Sequence, residues 1–306
     1  MIEAKSLTRR FGSLLAVDRL SFEVEAGEVL GFLGPNGAGK STSMKMITGY
    51  LPPSSGTAVV GGHDIVSDSL AARRLMGYLP EGAPLYGELS VGQFLAFVAG
   101  IRGFAGRDAR SAVSAAVDRL DLHEVFNQTI DTLSKGFKRR VGLAQAILHD
   151  PAVLILDEPT DGLDPNQKHQ VRRLIRSMAE DKIIIISTHI LEEVEALCSR
   201  AMIISRGRIV ADATPTELVR RSRYHNAVTL MADRLETAAS VLGELDEARE
   251  VEIREGRLTV FPSGRGRLYE AISRTLAEEG IEVSEIQLEA GRLDEVFREV
   301  TREEAA

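Results

Sequence analysis

Nine consecutive residues, Gly34-Pro35-Asn36-Gly37-Ala38-Gly39-Lys40-Ser41-Thr42, carry the most specific chemistry in the chain. They follow a continuous apolar run, Val29–Leu33, and precede a stretch that reads as a helix from about Lys40. The spacing G-x-x-x-x-G-K-[ST] between a buried strand and a helix is that of a phosphate cradle. Glycines let backbone N–H groups converge on a phosphate. The helix N-terminus adds roughly half a positive charge. Lys40 is placed to reach β- and γ-phosphates, and the Ser41 hydroxyl to hold Mg²⁺.

Two further stretches complement the cradle. Val153–Asp157 is an apolar run ending in two carboxylates, Asp157 and Glu158. Neighbouring strand residues point to opposite sides, so Asp157 can serve a metal while Glu158 polarises a water, a division that suits hydrolysis. There is no N-K-x-D element for guanine. The other stretch, LSKGFKRRVGLAQAIL at 133–148, looks like a second anion-seeking helix start. Ser134 is a natural N-cap, and Gly136 is expected to leave backbone N–H groups accessible. Lys138, Arg139 and Arg140 fall in the first turns, where positive charge opposes the helix dipole. An anion arriving from outside would relieve that conflict.

The elements that must position these groups follow from periodicity. Leu20, Phe22 and Val24 alternate with polar residues, as in a half-buried strand. Phe94, Leu95 and Val98, then Val113, Val117 and Leu120, sit at helical spacing, so about 88–150 is a helical block. Strand and helix then alternate: VLILD (153–157), a helix after Pro165, IIIIS (183–187), a helix from about Ile190, AMIIS (201–205). Such alternation implies a parallel sheet covered by helices, an α/β fold. RGR at 206–208 reads as a hairpin turn, and TPTELVRR as a helix closing the first domain near 221. Beyond it, AVTLMA, EVEIREGRLTVFP and EVSEIQLEA alternate like strands, while RLYEAISRTLAEEG and RLDEVFREVTREE read as helices: a small α+β appendage.

Composition excludes several classes. With 306 residues the chain can build two domains. One cysteine, Cys198, cannot form an internal disulfide. The apolar runs fall far short of the roughly 20 residues of a membrane span, and MIEAKSLTRRFG has no apolar signal region. A soluble, cytoplasmic protein is expected. Of the net charge of −8, residues 221–306 contribute −7, with 12 Arg, no Lys and 19 Asp plus Glu. An acidic tail does not suit a nucleic-acid clamp, so no nucleic-acid partner is expected.

Together these motifs resemble the ATP-binding subunit of an ABC transporter, over about residues 1–220 and in the family's order. The resemblance implies a P-loop NTPase cassette: a mixed sheet core, a helical subdomain at about 88–150 and an N-terminal antiparallel β part. The ATP-binding domain would span 1–221, with an accessory α+β domain at 222–306. ATP and Mg²⁺ are the implied cofactors. Residues 34–42 stand as the Walker A motif and 153–158 as Walker B. Glu158, Lys40 and His189 take the catalytic roles, His189 as the switch histidine that contacts the γ-phosphate. Phe11 stands at the adenine-stacking position, where stacking is typically worth about 1–3 kcal/mol per base. Gly162-Leu163-Asp164 resembles the D-loop. Glu81, in GYLPEGAPLYG, replaces the Q-loop glutamine and could reach Mg²⁺ through water.

In the family the segment like LSKGF is the signature loop, here with Lys135 for the usual Gly and Phe137 for Gln or Tyr. Two subunits pack head to tail, and Ser134 and Gly136 of one close on the ATP of the other. The implied partners are an integral membrane permease and a second copy of the chain, or a related ATPase subunit. The block 88–133 is where a permease's coupling helix docks. GYLPE, LSKGF and LDEVFREVT together resemble a bacterial type 2 exporter subset that includes gliding-motility and multidrug-type subunits. Such a subunit lies peripherally on the inner face of the cell membrane. The alternative is a soluble ABC-type ATPase acting on ribosomes or nucleic acid. Those relatives typically fuse two cassettes or insert long coiled coils, and this sequence does neither.

Overall fold

The continuous apolar runs become the parallel strands of one sheet. The computed structural model describes residues 1–264 and 266–303. They divide into two units, Met1–Thr214 and Pro215–Ala306.

The first unit opens with β1 (Ile2–Phe11) and β2 (Leu14–Val24), an antiparallel pair. Along β2, Leu20, Phe22 and Val24 are buried while Ser21 and Glu23 are exposed, as the alternation predicts. The fully buried β3 (Val29–Leu33) leads into α1 (Lys40–Ile47). Strands β4 (Ser55–Val60) and β5 (His63–Asp64) complete a four-stranded sheet in the order β2-β1-β4-β5. Next come α2 (Ser69–Arg74) and β6 (Met76–Leu79), then α3 (Val91–Ile101), α4 (Gly106–Leu120) and α5 (Lys135–Ile147). Phe94, Leu95 and Val98 are buried on α3, and Val113, Val117 and Leu120 on α4. The expected alternation follows as β7 (Val153–Asp157), α6 (Pro165–Met178), β8 (Ile183–Thr188), α7 (Leu191–Leu197), β9 (Arg200–Ser205) and β10 (Arg208–Ala213).

The second sheet runs β10-β9-β3-β8-β7-β6. Strands β9, β3, β8, β7 and β6 pair in parallel, and β10 adds antiparallel at the edge. Arg206 (φ 47°) and Gly207 (φ 78°) make the two-residue turn into β10, both left-handed as a type I′ hairpin requires. Leu33 faces Thr188, Asp157 faces Ser187 and Leu79 lies beside Leu156, so the carboxyl ends of β3, β8, β7 and β6 meet along one edge. Ligands of open α/β sheets bind along such an edge. One core joins both sheets, from Ile2 and Leu7 to Phe32, Ile155 and Ile185.

The second unit begins with α8 (Pro215–Arg220). The sequence pattern gives this helix to the first domain; here it belongs to the second unit because it packs on the chain's last helix, α11 (Leu293–Glu303). Between them run β11 (Val228–Ala232), α9 (Leu235–Gly243), β12 (Ala248–Arg254), β13 (Arg257–Pro262), α10 (Leu268–Glu278) and β14 (Val283–Leu288). The order β12-β13-β11-β14, all antiparallel, makes this a βαββαβ plait. Its own core joins Val228, Leu230, Leu258 and Val260 to Leu242, Ile272 and Leu276. Among the described residues no helix is long and apolar enough to cross a membrane.

Gly77 on β6 reports how tightly the helical block sits on the sheet. A Cβ there would lie 2.1 Å from the Ala146 carbonyl oxygen and 2.9 Å from Pro151 Cγ. Gly77→Ala should therefore destabilise the first unit by about 1–3 kcal/mol. Chemical denaturation measures this, and an unchanged midpoint would contradict the packing of α5 on β6.

Candidate functional site

Close backbone approach dictates the glycines of the 34–42 loop. A Cβ at Gly34 would lie 2.3 Å from the Ile204 carbonyl oxygen, and one at Gly39 2.6 Å from that of Ala16. Gly39 also takes φ 105°, a conformation L side chains rarely adopt. Asn36 and Gly37 are exposed at the loop crest, Ala38 is buried, and Ser41 and Thr42 are half-buried on the first turn of α1. Lys40 is buried, and its ammonium donates to the carbonyls of Gly34 (2.7 Å) and Pro35 (3.2 Å). Burial pulls its pKa below the usual 10.5, opposed by the charges of Glu158, Asp157 and Glu81.

Asp157 is 1% exposed. Its Oδ1 accepts hydrogen bonds from Ser41 Oγ at 3.3 Å and from Ser187 Oγ. Its Oδ2 is buried with no hydrogen-bond partner. An orphaned carboxylate oxygen beside a hydroxyl fits a hard cation. Among the described residues no cluster of three His, Cys, Asp or Glu could cage a metal. Mg²⁺, which keeps several waters and substrate phosphates, suits so sparse a set. Ser41 and Asp157 would hold it, and it would neutralise charge on the phosphates. Glu81 is exposed just beyond β6.

Glu158 departs from the pleat argument. β7 ends at Asp157, and Glu158 takes φ 52°, so a left-handed turn, not strand alternation, aims its side chain. Its N–H donates to the Ser187 carbonyl oxygen at 3.1 Å, and its Oε1 meets His189 Nδ1 at 2.8 Å. Burial pushes the Glu158 carboxyl above its ordinary 4.5, against the hydrogen bond and charge of His189. The Glu158 side chain is 14% exposed and that of His189 54%. A carboxylate held so beside a phosphate cradle could orient a water for attack on a terminal phosphate.

Ser134 caps α5 as expected, accepting from Phe137 N at 3.3 Å. The basic run behind it is used differently from the sequence reading. Arg139 and Arg140 are buried. Arg139 donates to backbone carbonyls of Asp157 (2.6 Å), Glu158 and Pro80 (3.4 Å). Arg140 donates to those of Leu120 and Asp121 at the end of α4 and stacks on Phe137. Lys138 donates to the Asp131 carbonyl oxygen. Backbone carbonyl oxygens thus receive the cations that oppose the helix dipole. Gly136 is buried as well: a Cβ there would lie 2.6 Å from Gln167 Oε1. Gln167 forms a reciprocal capping box with Asp164, the N-cap of α6. Lys135 pairs with Asp161 at 2.8 Å. Phe11 is 45% exposed, with the Arg9 guanidinium 4.7 Å from its ring centre, so it is no core residue.

Sequence reasoning missed Glu193. It is 1% exposed on α7 and accepts from Thr160 Oγ1 and, at 3.0 Å, from Thr188 Oγ1. It thereby joins the turn after Glu158 to the strand end before His189. The signal was present: Glu193 precedes Leu197 by one helical turn, on the stripe that Val194 and Leu197 bury.

Comparison with known proteins sets this geometry in context. The family model described as ABC transporter matches residues 17–161. The chain is 41% identical over 223 residues to the "Probable multidrug ABC transporter ATP-binding protein YbhF" of Escherichia coli (strain K12), covering 72% of this chain and 38% of that one. The chain thus spans well under half of that relative. It is 31% identical over 307 residues to the "Linearmycin resistance ATP-binding protein LnrL" of Bacillus subtilis (strain 168), covering 98% of each. Among solved structures, one described as "Structure of ATP binding subunit of ABC transporter" superposes with a TM-score of 0.67 at 29% identity, covering 72% of this chain and 92% of that one.

If Glu158 acts as a base, it must be ionised, so nucleotide hydrolysis falls as pH drops through its folded pKa, which lies above 4.5. His189→Ala removes the interaction that favours the ionised form. It should move the acid limb of kcat to higher pH, in addition to lowering kcat. A pH–rate profile tests this, and a limb that stays put or moves down contradicts the pairing.

Proposed function

The chain belongs to the ATP-binding proteins of the ABC transporter family, and on that premise we propose that it is the ATP-hydrolysing subunit of a bacterial exporter, driven by head-to-tail dimerisation. The observation that carries this reading is the convergence at one sheet edge of the Ser41–Asp157 pair, with its unpartnered Oδ2, and the Glu158–His189 pair. Lys40 and the 34–42 loop bind the phosphates, Ser41 and Asp157 hold Mg²⁺ with Glu81 reaching it through water, and Glu158 activates the water. His189 orients Glu158 and reads the γ-phosphate, while Phe11 offers an exposed ring to the adenine. Among the described residues no hydrogen bond joins residues 133–137 to 34–42. That supports Ser134 and Gly136 serving the ATP of a second subunit, with Asp164 at the junction. ATP then favours the closed dimer because it touches both faces only there. The names of the multidrug and linearmycin-resistance relatives support export.

A permease would seat the subunit on the inner face of the membrane. A groove of about 870 Å³ beside β6 supports this. Its exposed apolar residues include Ile101 of the helical block, together with Tyr50 and Leu70.

Glu158→Gln should lower ATP hydrolysis by about 10²-fold or more and trap an ATP-dependent dimer, read by size-exclusion chromatography. Near-native turnover would reject the assignment of the base. Tagged Glu158→Gln protein, pulled from mildly solubilised source-cell membranes with ATP and Mg²⁺, should bring down an integral membrane protein in near-equal amount. Recovery of soluble partners alone would reject the exporter reading. Leu70→Asp with Ile101→Asp should abolish that recovery while leaving ATP hydrolysis intact, and retained recovery would move the docking surface elsewhere.

A further inference from the structure

The buried guanidinium of Arg139 touches no phosphate-loop residue, yet it holds the backbone around both acidic groups of the site. It is 5% exposed. Nη2 donates to the carbonyl oxygens of Asp157, at 2.6 Å, and of Glu158, and Nη1 to that of Pro80 at 3.4 Å. Pro80 immediately precedes Glu81, and Glu158 sits in the left-handed turn that aims its carboxylate. Arg139 lies little more than one helical turn from Ser134, on the helix that Ser134 caps. A rigid turn of helix therefore separates the signature loop from a grip on the catalytic backbone. The outer contact between the same segments, Lys135 with Asp161, joins two exposed side chains and is screened by solvent. The inner one is not.

We propose that Arg139 is a positioning residue that carries the state of the signature loop to Glu158 of the same chain. The proposal rests on the head-to-tail dimer above. There, the loop of one chain closes on the partner's ATP, while Glu158 acts on the chain's own ATP. Arg139 then makes hydrolysis at one composite site respond to occupancy of the other. The planar fork of arginine can hold two carbonyls and reach a third, whereas a lysine ammonium on its flexible stem cannot reproduce that geometry. The site keeps an Arg buried beside Asp157, Glu158, Asp161 and Glu81, whose negative charges favour it there.

The test compares Arg139→Lys with the native chain. Binding of a fluorescent ATP analogue should stay within about twofold, and ATP should still dimerise the variant in a Glu158→Gln background. Hydrolysis should fall roughly tenfold or more, and its dependence on ATP should change from sigmoidal to hyperbolic, as loss of a coupling energy predicts. Native turnover, an ATP dependence that is hyperbolic in both, or hydrolysis that falls only in step with ATP binding overturns the proposal. If Glu158→Gln with Arg139 intact fails to dimerise, the head-to-tail reading fails instead. A second measurement leaves Arg139 untouched. Dimers mixed from native chains and chains with Ser134→Arg have one signature loop blocked. Independent sites would retain about half of the native turnover, which overturns the proposal; the strut requires turnover well below that.

Discussion

The parallel register of β3, β8 and β7 is the constraint on which the site depends. It sets Leu33 beside Thr188 and Asp157 beside Ser187. Three chain segments far apart in sequence therefore leave the sheet at one level: β7 and β8 deliver polar groups within a residue or two of the strand end, and β3 leads into the loop that ends in Lys40 and Ser41. A shift of one residue in β7 would send Asp157 to the other face and replace it with Leu156. The strands can hold this register because they are buried throughout, with Ile183–Ile186 and Val153–Leu156 apolar to the last position before the polar groups begin. Sheet packing and site geometry are one requirement.

Burial at this edge is expensive, and the structure offsets it locally. Lys40, Asp157, Arg139 and Glu193 are all buried. An unpaired ion in such a place costs several kcal/mol. Glu193 meets two threonine hydroxyls and, at 3.9 Å, the Arg172 guanidinium. Arg139 meets carbonyls, and Lys40 meets the carbonyls of its own loop. Two of these groups keep an unpartnered buried atom: Arg139 at Nε and Asp157 at Oδ2, whose other oxygen is satisfied. Of the two, only the Asp157 oxygen is a carboxylate acceptor beside the Ser41 hydroxyl, an arrangement that suits a bound cation. The raised pKa of Glu158 points the same way, since burial there opposes the ionised form that stability alone would prefer.

Much of this was legible in sequence because strong periodicity and special residues coincide with the site. Val29–Leu33, Val153–Asp157 and Ile183–Thr188 are apolar runs that only a covered parallel sheet can bury. Helix α9 was not anticipated, although Leu235, Ala238, Ala239 and Leu242 recur at helical spacing and pack on the core of the second unit. Arg139 and Arg140 were read as charges awaiting an external anion because their partners, backbone carbonyls, leave no trace in side-chain identity. Yet they share the stripe of Leu143 and Ile147, which could have marked them as inward. The aim of Glu158 was expected from strand alternation, whereas a left-handed turn sets it, and such a turn cannot be read from a glutamate.

The boundary between the units shows how long-range packing overrides local pattern. By local pattern, Pro215–Arg220 is one more helix after one more strand, and nothing separates it from those before. What assigns it is the other end of the plait. A Cβ at Gly291 would lie 2.3 Å from the Val219 carbonyl oxygen, so the chain can only pass there without a side chain. Leu218, Leu293 and Val296 are buried, and Glu295 accepts from the N–H of Arg223 at 3.1 Å and from Ser222 Oγ. The first and last helices of the unit thus clasp each other and close the βαββαβ plait between them. A module whose two ends meet has its own core and termination, which is what an independently folding domain requires. Thr214 precedes a proline, whose ring disfavours helix at the residue before it, so the helix begins at Pro215 and the unit begins with it.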